Sequence, residues 1–149
     1  MRELSYEQKM WLRQNDLTSR NYKILDVATT VKLRKKWKSS FIPNLKESEI
    51  LHKCHVCSTD DKRSYNWHAF SYKEVVAKKV ESNFLQKKLK FYKNDLYLVW
   101  EECNTHGLII SSRFVKDCRW TNTDIYIFDN SFKWTFVVTH EEWYYYKEM

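Results

Sequence analysis

Glycine and proline are almost missing: the 149 residues hold one of each, Gly107 and Pro43. A phosphate-cradling loop or a dinucleotide fingerprint needs several glycines at fixed spacing, so that backbone amides can approach a phosphate. Both are excluded, as is a nucleophilic serine on a glycine-flanked elbow. No apolar run approaches the roughly 18 residues that a membrane span needs; the longest are short stretches such as 96–100. The opening MRELSYEQKMWLRQND is charged throughout, which is unlike a secretory signal. The expectation is a cytoplasmic protein, not membrane-bound, whose four cysteines (54, 57, 103 and 118) stay reduced.

What the chain does have is aromatic and basic. Aromatics make up 17% of residues, with 7 Trp, 10 Tyr and 8 Phe, a content that excludes disorder. The length suits a single domain with one sizeable core, and no internal repeat or linker divides it. Lys and Arg number 26 against 19 Asp and Glu, a net charge of +7. The excess is uneven: residues 1–100 carry 21 basic and 11 acidic side chains, whereas residues 101–149 carry 5 and 8. A surface polarised in this way attracts polyanions or an acidic protein face.

Ser5 with Gln8 forms a capping-box pattern and predicts a short helix to about Asn15, with Met10 and Trp11 available for packing. Asp26 can cap a second helix, in which Thr30, Leu33, Trp37 and Phe41 share one stripe and Lys32, Arg34, Lys35, Lys36 and Lys38 lie mostly outside it. Pro43 ends that helix, and Asn44 with Glu47 suggests another, to about His52. Tyr65 to Phe70 alternates in strand fashion. Ser71 with Glu74 opens a further helix carrying Val76, Val80 and Phe84 and ending in Lys87-Lys88. Two hairpins follow: residues 89–93 with 96–102 around Asn94-Asp95, and residues 124–129 with 132–140 around Asn130-Ser131. The fold expected is α+β, an antiparallel sheet with hairpins in the C-terminal half, covered on one face by helices mainly from the N-terminal half.

Three segments carry a resemblance. They are Arg34-Lys35-Lys36-Trp37 with Phe41, then Trp67-His68-Ala69-Phe70-Ser71-Tyr72, and then DIYIFDNSFKWTFVVTHE over 124–141. Together they resemble the bacterial, Bacillus-type domain-of-unknown-function family 4275 over roughly residues 22–141, the last block being the most specific. On that reading residues 1–20 are an N-terminal helical extension, 22–141 the family-like core and 142–149 an aromatic tail. The chain departs from the family pattern in that tail and in its cysteines near 54–57. The resemblance implies a fold and a bacterial source and carries no catalytic residues.

Four sets of residues are candidates for function. Cys54 and Cys57, two residues apart, with His52 and a fourth ligand such as Cys103, have the donor types of a zinc site; otherwise no cofactor is expected. His68 and His140 on strands could act as an acid/base pair with Glu141 or Glu142 orienting one ring. Lys32, Arg34, Lys35, Lys36 and Lys38, with Lys87, Lys88 and Lys90, would form the basic surface of a nucleic-acid-binding protein. Finally, Trp143, Tyr144, Tyr145 and Tyr146 are four consecutive aromatics that cannot all point inward, and they suit an anchor for a partner protein. The favoured expectation is a non-enzymatic protein-binding module, of inhibitor or immunity type, from a bacterial or mobile-element locus. The alternatives are a basic nucleic-acid-binding protein and a small metal-dependent enzyme at Cys54 and Cys57.

Overall fold

A computed structural model describes residues 4–42, 77–101, 105–121 and 123–149. Four helices and seven strands occur among them. In chain order they are α1 (Tyr6–Gln14), β1 (Tyr22–Ile24), α2 (Val27–Phe41), β2 (Lys78–Val80), α3 (Phe84–Lys88), β3 (Asp95–Trp100), β4 (Leu108–Ser111), α4 (Ser112–Val115), β5 (Ile125–Phe128), β6 (Trp134–Val138) and β7 (Tyr144–Glu148). The strands form one sheet in the order β1-β4-β3-β5-β6-β7-β2. Every neighbouring pair is antiparallel. The architecture is thus the α+β single sheet that the sequence implies.

Register sorts the core into two sides, because successive strand side chains point to opposite faces. Leu98, Ile127, Phe136 and Tyr146 pair in turn across β3, β5, β6 and β7, and make one row. Val99, Tyr126, Val137 and Tyr145 pair in the same way one position on, and make the other. The first row belongs to a core that takes in Trp11 and Leu12 of α1, Leu85 of α3, Leu89, and Val115 of α4. The second packs against Trp37 and Phe41 of α2. Helices therefore lie on both faces, where the sequence suggests one. The reason is visible in β5 and β6, whose residues are buried at every position. A strand buried on both sides needs cover on both sides.

The helix ends follow the sequence signals. Ser5 Oγ accepts from the Gln8 amide while Gln8 Oε1 accepts from the Ser5 amide, so the capping box is complete. Gln8 is also fully buried and donates to the His106 carbonyl at 2.6 Å, which ties α1 to the approach of β4. Asp26 caps α2 by accepting from the Thr29 amide at 2.6 Å. At the same end Thr30 Oγ1 donates to the Asp26 carbonyl and accepts from the Gly107 amide at 2.8 Å. A Cβ at Gly107 would stand 3.2 Å from that hydroxyl, tighter than ordinary packing. The single glycine thus sits where α2 closes onto the sheet.

Two readings of the elements need correction. Residues 78–80 are a strand paired with β7, not part of a helix. The helix lies just downstream, where Leu85 and Leu89, four apart, are both buried. The expected hairpin around Asn94-Asp95 does not form, because 89–93 make the turn out of α3 and β3 pairs instead with β4 and β5. The second hairpin does form, with Ile125 opposite Val138 and Phe128 opposite Thr135. Its positive φ falls on Phe132 (53°), just past Asn130-Ser131. An aromatic side chain is strained there. Phe132 is held by Phe128, 5.2 Å away between ring centroids, and by the Lys36 ammonium 4.5 Å over its ring.

Candidate functional site

The C-terminal corner begins where β6 ends at Val138; the chain passes Thr139 and returns as β7 through a tight turn. The Thr139 amide donates to the Trp143 carbonyl and the Glu142 amide to the Thr139 carbonyl. Thr139 Oγ1 accepts from the Trp143 amide at 3.2 Å. Glu142 takes φ 62°, which reverses the chain in so few residues. Asp124 locks this turn to the start of β5. Its carboxylate accepts from the His140 amide at 2.7 Å and lies 3.0 and 3.1 Å from His140 Nδ1.

The four aromatics of this corner separate by strand geometry. Tyr145 and Tyr146 are buried on opposite faces of the sheet, and Tyr144 is half-buried. The surface-anchor expectation therefore does not extend to Tyr145 and Tyr146, which belong to the core. The Tyr144 hydroxyl donates to the Trp120 carbonyl at 3.2 Å. Trp143, the last residue before the strand, keeps 39% of its surface exposed, and Lys79 Nζ on the neighbouring β2 stands 4.7 Å over its ring. Beside it opens a cleft of about 430 Å³ whose walls include Glu81, Glu142 and Trp143. A second cleft of about 460 Å³ lies between Asn83 and Gln86 on one side and Lys116 and Arg119 on the other. Both clefts share Ser82, Glu142 and Tyr144, so they meet at the β7 entry.

Burial raises the phenol pKa values of all three tyrosines above the ordinary 10.0, with Glu142 adding to the effect at Tyr144 and Glu141 at Tyr145. A folded-state pKa raised above the unfolded one contributes stability that is present below the unfolded value and lost as pH rises through the folded one. Lys88, whose pKa is raised first by the neighbouring Tyr146 phenol, acts in the same direction. Lys147, lowered by burial, opposes it. With four groups against one, urea midpoints measured across the alkaline range are expected to hold to about pH 10 and then fall. A flat profile through pH 11 would contradict this placement of the β7 tyrosines.

Cys118 lines the second cleft but is chemically quiet. Its thiol donates to the Phe114 carbonyl, and burial, with Asp117 second, pushes its pKa up to about 12. The thiolate is the reactive form. Iodoacetamide at pH 8 is accordingly expected to leave Cys118 unmodified in the folded protein and to label it in urea, read by peptide mass mapping.

The remaining sequence candidates divide. His140 is oriented by Asp124, which the sequence reading missed; Glu141 Oε1 stands farther off, 3.9 Å from Nε2. The signal for Asp124 was its place at the open end of the β5–β6 hairpin, where the register sets it opposite Thr139, the neighbour of His140. Arg34 is not on the outer face of α2 but buried, donating to the Trp100 carbonyl at 2.9 Å. Lys32, Lys35 and Lys36 are exposed on α2, on one side of the sheet, whereas Lys87, Lys88 and Lys90 follow from α3 on the other. The basic residues thus do not make one surface. Cys54, Cys57, His52, Cys103 and His68 lie outside the described residues, as do the elements expected over 44–76. Among the described residues no group of three or more His, Cys, Asp or Glu side chains could hold a metal ion. No helix among them is long and apolar enough to cross a membrane.

The family model described as Domain of unknown function (DUF4275) matches residues 10–146. The chain belongs to the DUF4275 family. No curated protein and no solved structure matches it. The DUF4275 match runs from α1 to the middle of β7 and so takes in Trp143, Lys79 and both clefts. The aromatic stretch read from the sequence as a tail is part of the family domain, and most of it is an inner strand of the sheet.

Proposed function

We propose that the protein acts without catalysis, by binding another protein at the corner marked by Trp143. The observation that carries this reading is the contrast within four consecutive aromatics. Tyr145 and Tyr146 are taken into the two cores, while the Trp143 ring stays open beside a cleft and under a lysine. A partly exposed tryptophan set on a fixed strand end beside a concave wall is the kind of residue that dominates binding energy at interfaces. Its surroundings offer both charges, Lys79 with Lys116 and Arg119 against Glu81 and Glu142, which suits a mixed polar rim. Within this reading the role is that of an inhibitor or immunity-type protein from a bacterial or mobile-element locus.

The reading is tested by affinity capture of the tagged protein from its host, with nuclease present and moderate-salt washes, comparing wild type with Trp143→Ala. One protein recovered in near-stoichiometric amount with wild type and lost with the variant supports it. Material that disappears on nuclease treatment would replace it with the nucleic-acid alternative, whose lysines are divided between two faces. Trp143 is exposed, so the variant is expected to melt within about 0.5 kcal/mol of wild type.

A further inference from the structure

Phe91 is the most exposed large hydrophobic side chain among the described residues, with 85% of its surface in water. It sits in the stretch Lys87-Lys88-Leu89-Lys90-Phe91-Tyr92-Lys93, the end of α3 and the turn that leads from it to β3. The turn is pinned on either side of it. Leu89 is 1% exposed in the core. Tyr92 is fixed at both ends: its hydroxyl donates to Asp129, its carbonyl accepts from Ser112 Oγ at 2.9 Å, and its ring meets the edge of Trp134. The Phe91 side chain is therefore held out by a rigid frame rather than left on a frayed end. All four lysines around it are exposed. Lys88 is engaged by Glu148 at 3.7 Å and by the Tyr146 ring, which leaves Lys87, Lys90 and Lys93 as the outward charges.

We infer that this turn is a peripheral membrane-contact site for anionic lipid headgroups, with Phe91 entering the interface and the lysines resting on phosphates. An apolar tip ringed by flexible ammonium groups has the two components such contact needs: apolar area to bury, and charge opposite to the bilayer surface. Lysine stems can lie along the acyl boundary while their ends stay at the phosphates. A single-stranded nucleic acid is the other polyanion, but it needs successive open rings to stack its bases. Here Lys90 Nζ stands 5.4 Å over one face of Phe91, and the neighbouring ring of Tyr92 is packed on Trp134. The site is separate from the Trp143 corner, and neither proposal depends on the other.

Co-sedimentation of the full chain with vesicles tests it, using pure phosphatidylcholine and phosphatidylcholine mixed with phosphatidylglycerol at two salt concentrations. Binding to the mixed vesicles alone is expected, weakening with salt. Phe91→Ala should lower the partition coefficient about tenfold and Phe91→Leu much less. Replacing Lys87, Lys90 and Lys93 together by Gln should abolish binding. Circular dichroism and melting temperature, expected to be unchanged at these exposed positions, separate loss of contact from loss of fold. Equal binding by wild type and Phe91→Ala, no preference for the anionic vesicles, or no binding at all would overturn the proposal. So would tighter, Phe91-dependent binding to an oligothymidylate, which would make the turn a nucleic-acid surface.

Discussion

Replacing Trp37 by alanine is expected to destabilise the fold by about 3–5 kcal/mol, the range for removing a large buried aromatic. Trp37 is 1% exposed and, with Phe41, packs α2 on its face of the sheet. Its ring lies 4.3 Å from Tyr126 and 5.9 Å from Phe41 between centroids. The indole N–H donates to Thr135 Oγ1 at 2.9 Å, and Thr135 in turn donates to the Ile127 carbonyl within the sheet. Alanine leaves a void and an unpaired hydroxyl lone pair at once. Trp37→Phe separates the two effects, since it keeps most of the ring and loses the hydrogen bond, and a loss of about 1–2 kcal/mol is expected. Guanidinium or urea denaturation measures both, through the midpoint at unchanged slope. A loss under about 1 kcal/mol for Trp37→Ala would mean that α2 is not docked on this face.

Trp11→Ala is the matching test on the other face, again with an expected loss of about 3–5 kcal/mol. Trp11 is 1% exposed, stacks on Trp120 at 5.3 Å and meets Trp100 edge-on at 5.5 Å. Its N–H donates to the Arg119 carbonyl at 3.0 Å, so it fixes the segment that lines the second cleft. Asn15, the C-cap of α1, repeats that link by accepting from the Arg119 amide. The variant should therefore loosen residues 116–121 before the sheet opens, and faster amide exchange there than in β5 would show it. Because Trp11 and Trp37 contribute to separate cores, their losses should add within about 0.5 kcal/mol. The summed loss of about 6–10 kcal/mol should then largely unfold a domain in the lower part of the ordinary range of about 5–15 kcal/mol.

The parts of the fold legible in the sequence are those set by local chemistry. Ser5 with Gln8 and Asp26 mark two helix starts, and the stripe Thr30, Leu33, Trp37 and Phe41 marks the inward side of α2, with Leu33 half-buried. The hairpin of β5 and β6 followed from two apolar runs around a polar turn. What misled was long-range. Lys78 to Val80 fits a helical period as well as a strand, and only pairing with β7 decides. Arg34 looks like its lysine neighbours until the Trp100 carbonyl is placed beside it. Tyr144 to Tyr146 looked like a surface tail because one strand face was assumed to be open, whereas the sheet is packed on both sides. Of the candidate functional residues, Trp143 and His140 are legible in the sequence. Lys79, Asp124 and Phe91 are not, since their significance lies in what the fold sets next to them or leaves bare.

The most direct test of the central claim is the affinity of the captured partner, measured by titration calorimetry against wild type and Trp143→Ala. If Trp143 anchors the interface, the variant should bind at least about thirtyfold more weakly, the loss of 2 kcal/mol or more that marks a dominant contact. Equal affinity in a variant that melts like wild type would contradict the account and move the binding surface away from this corner.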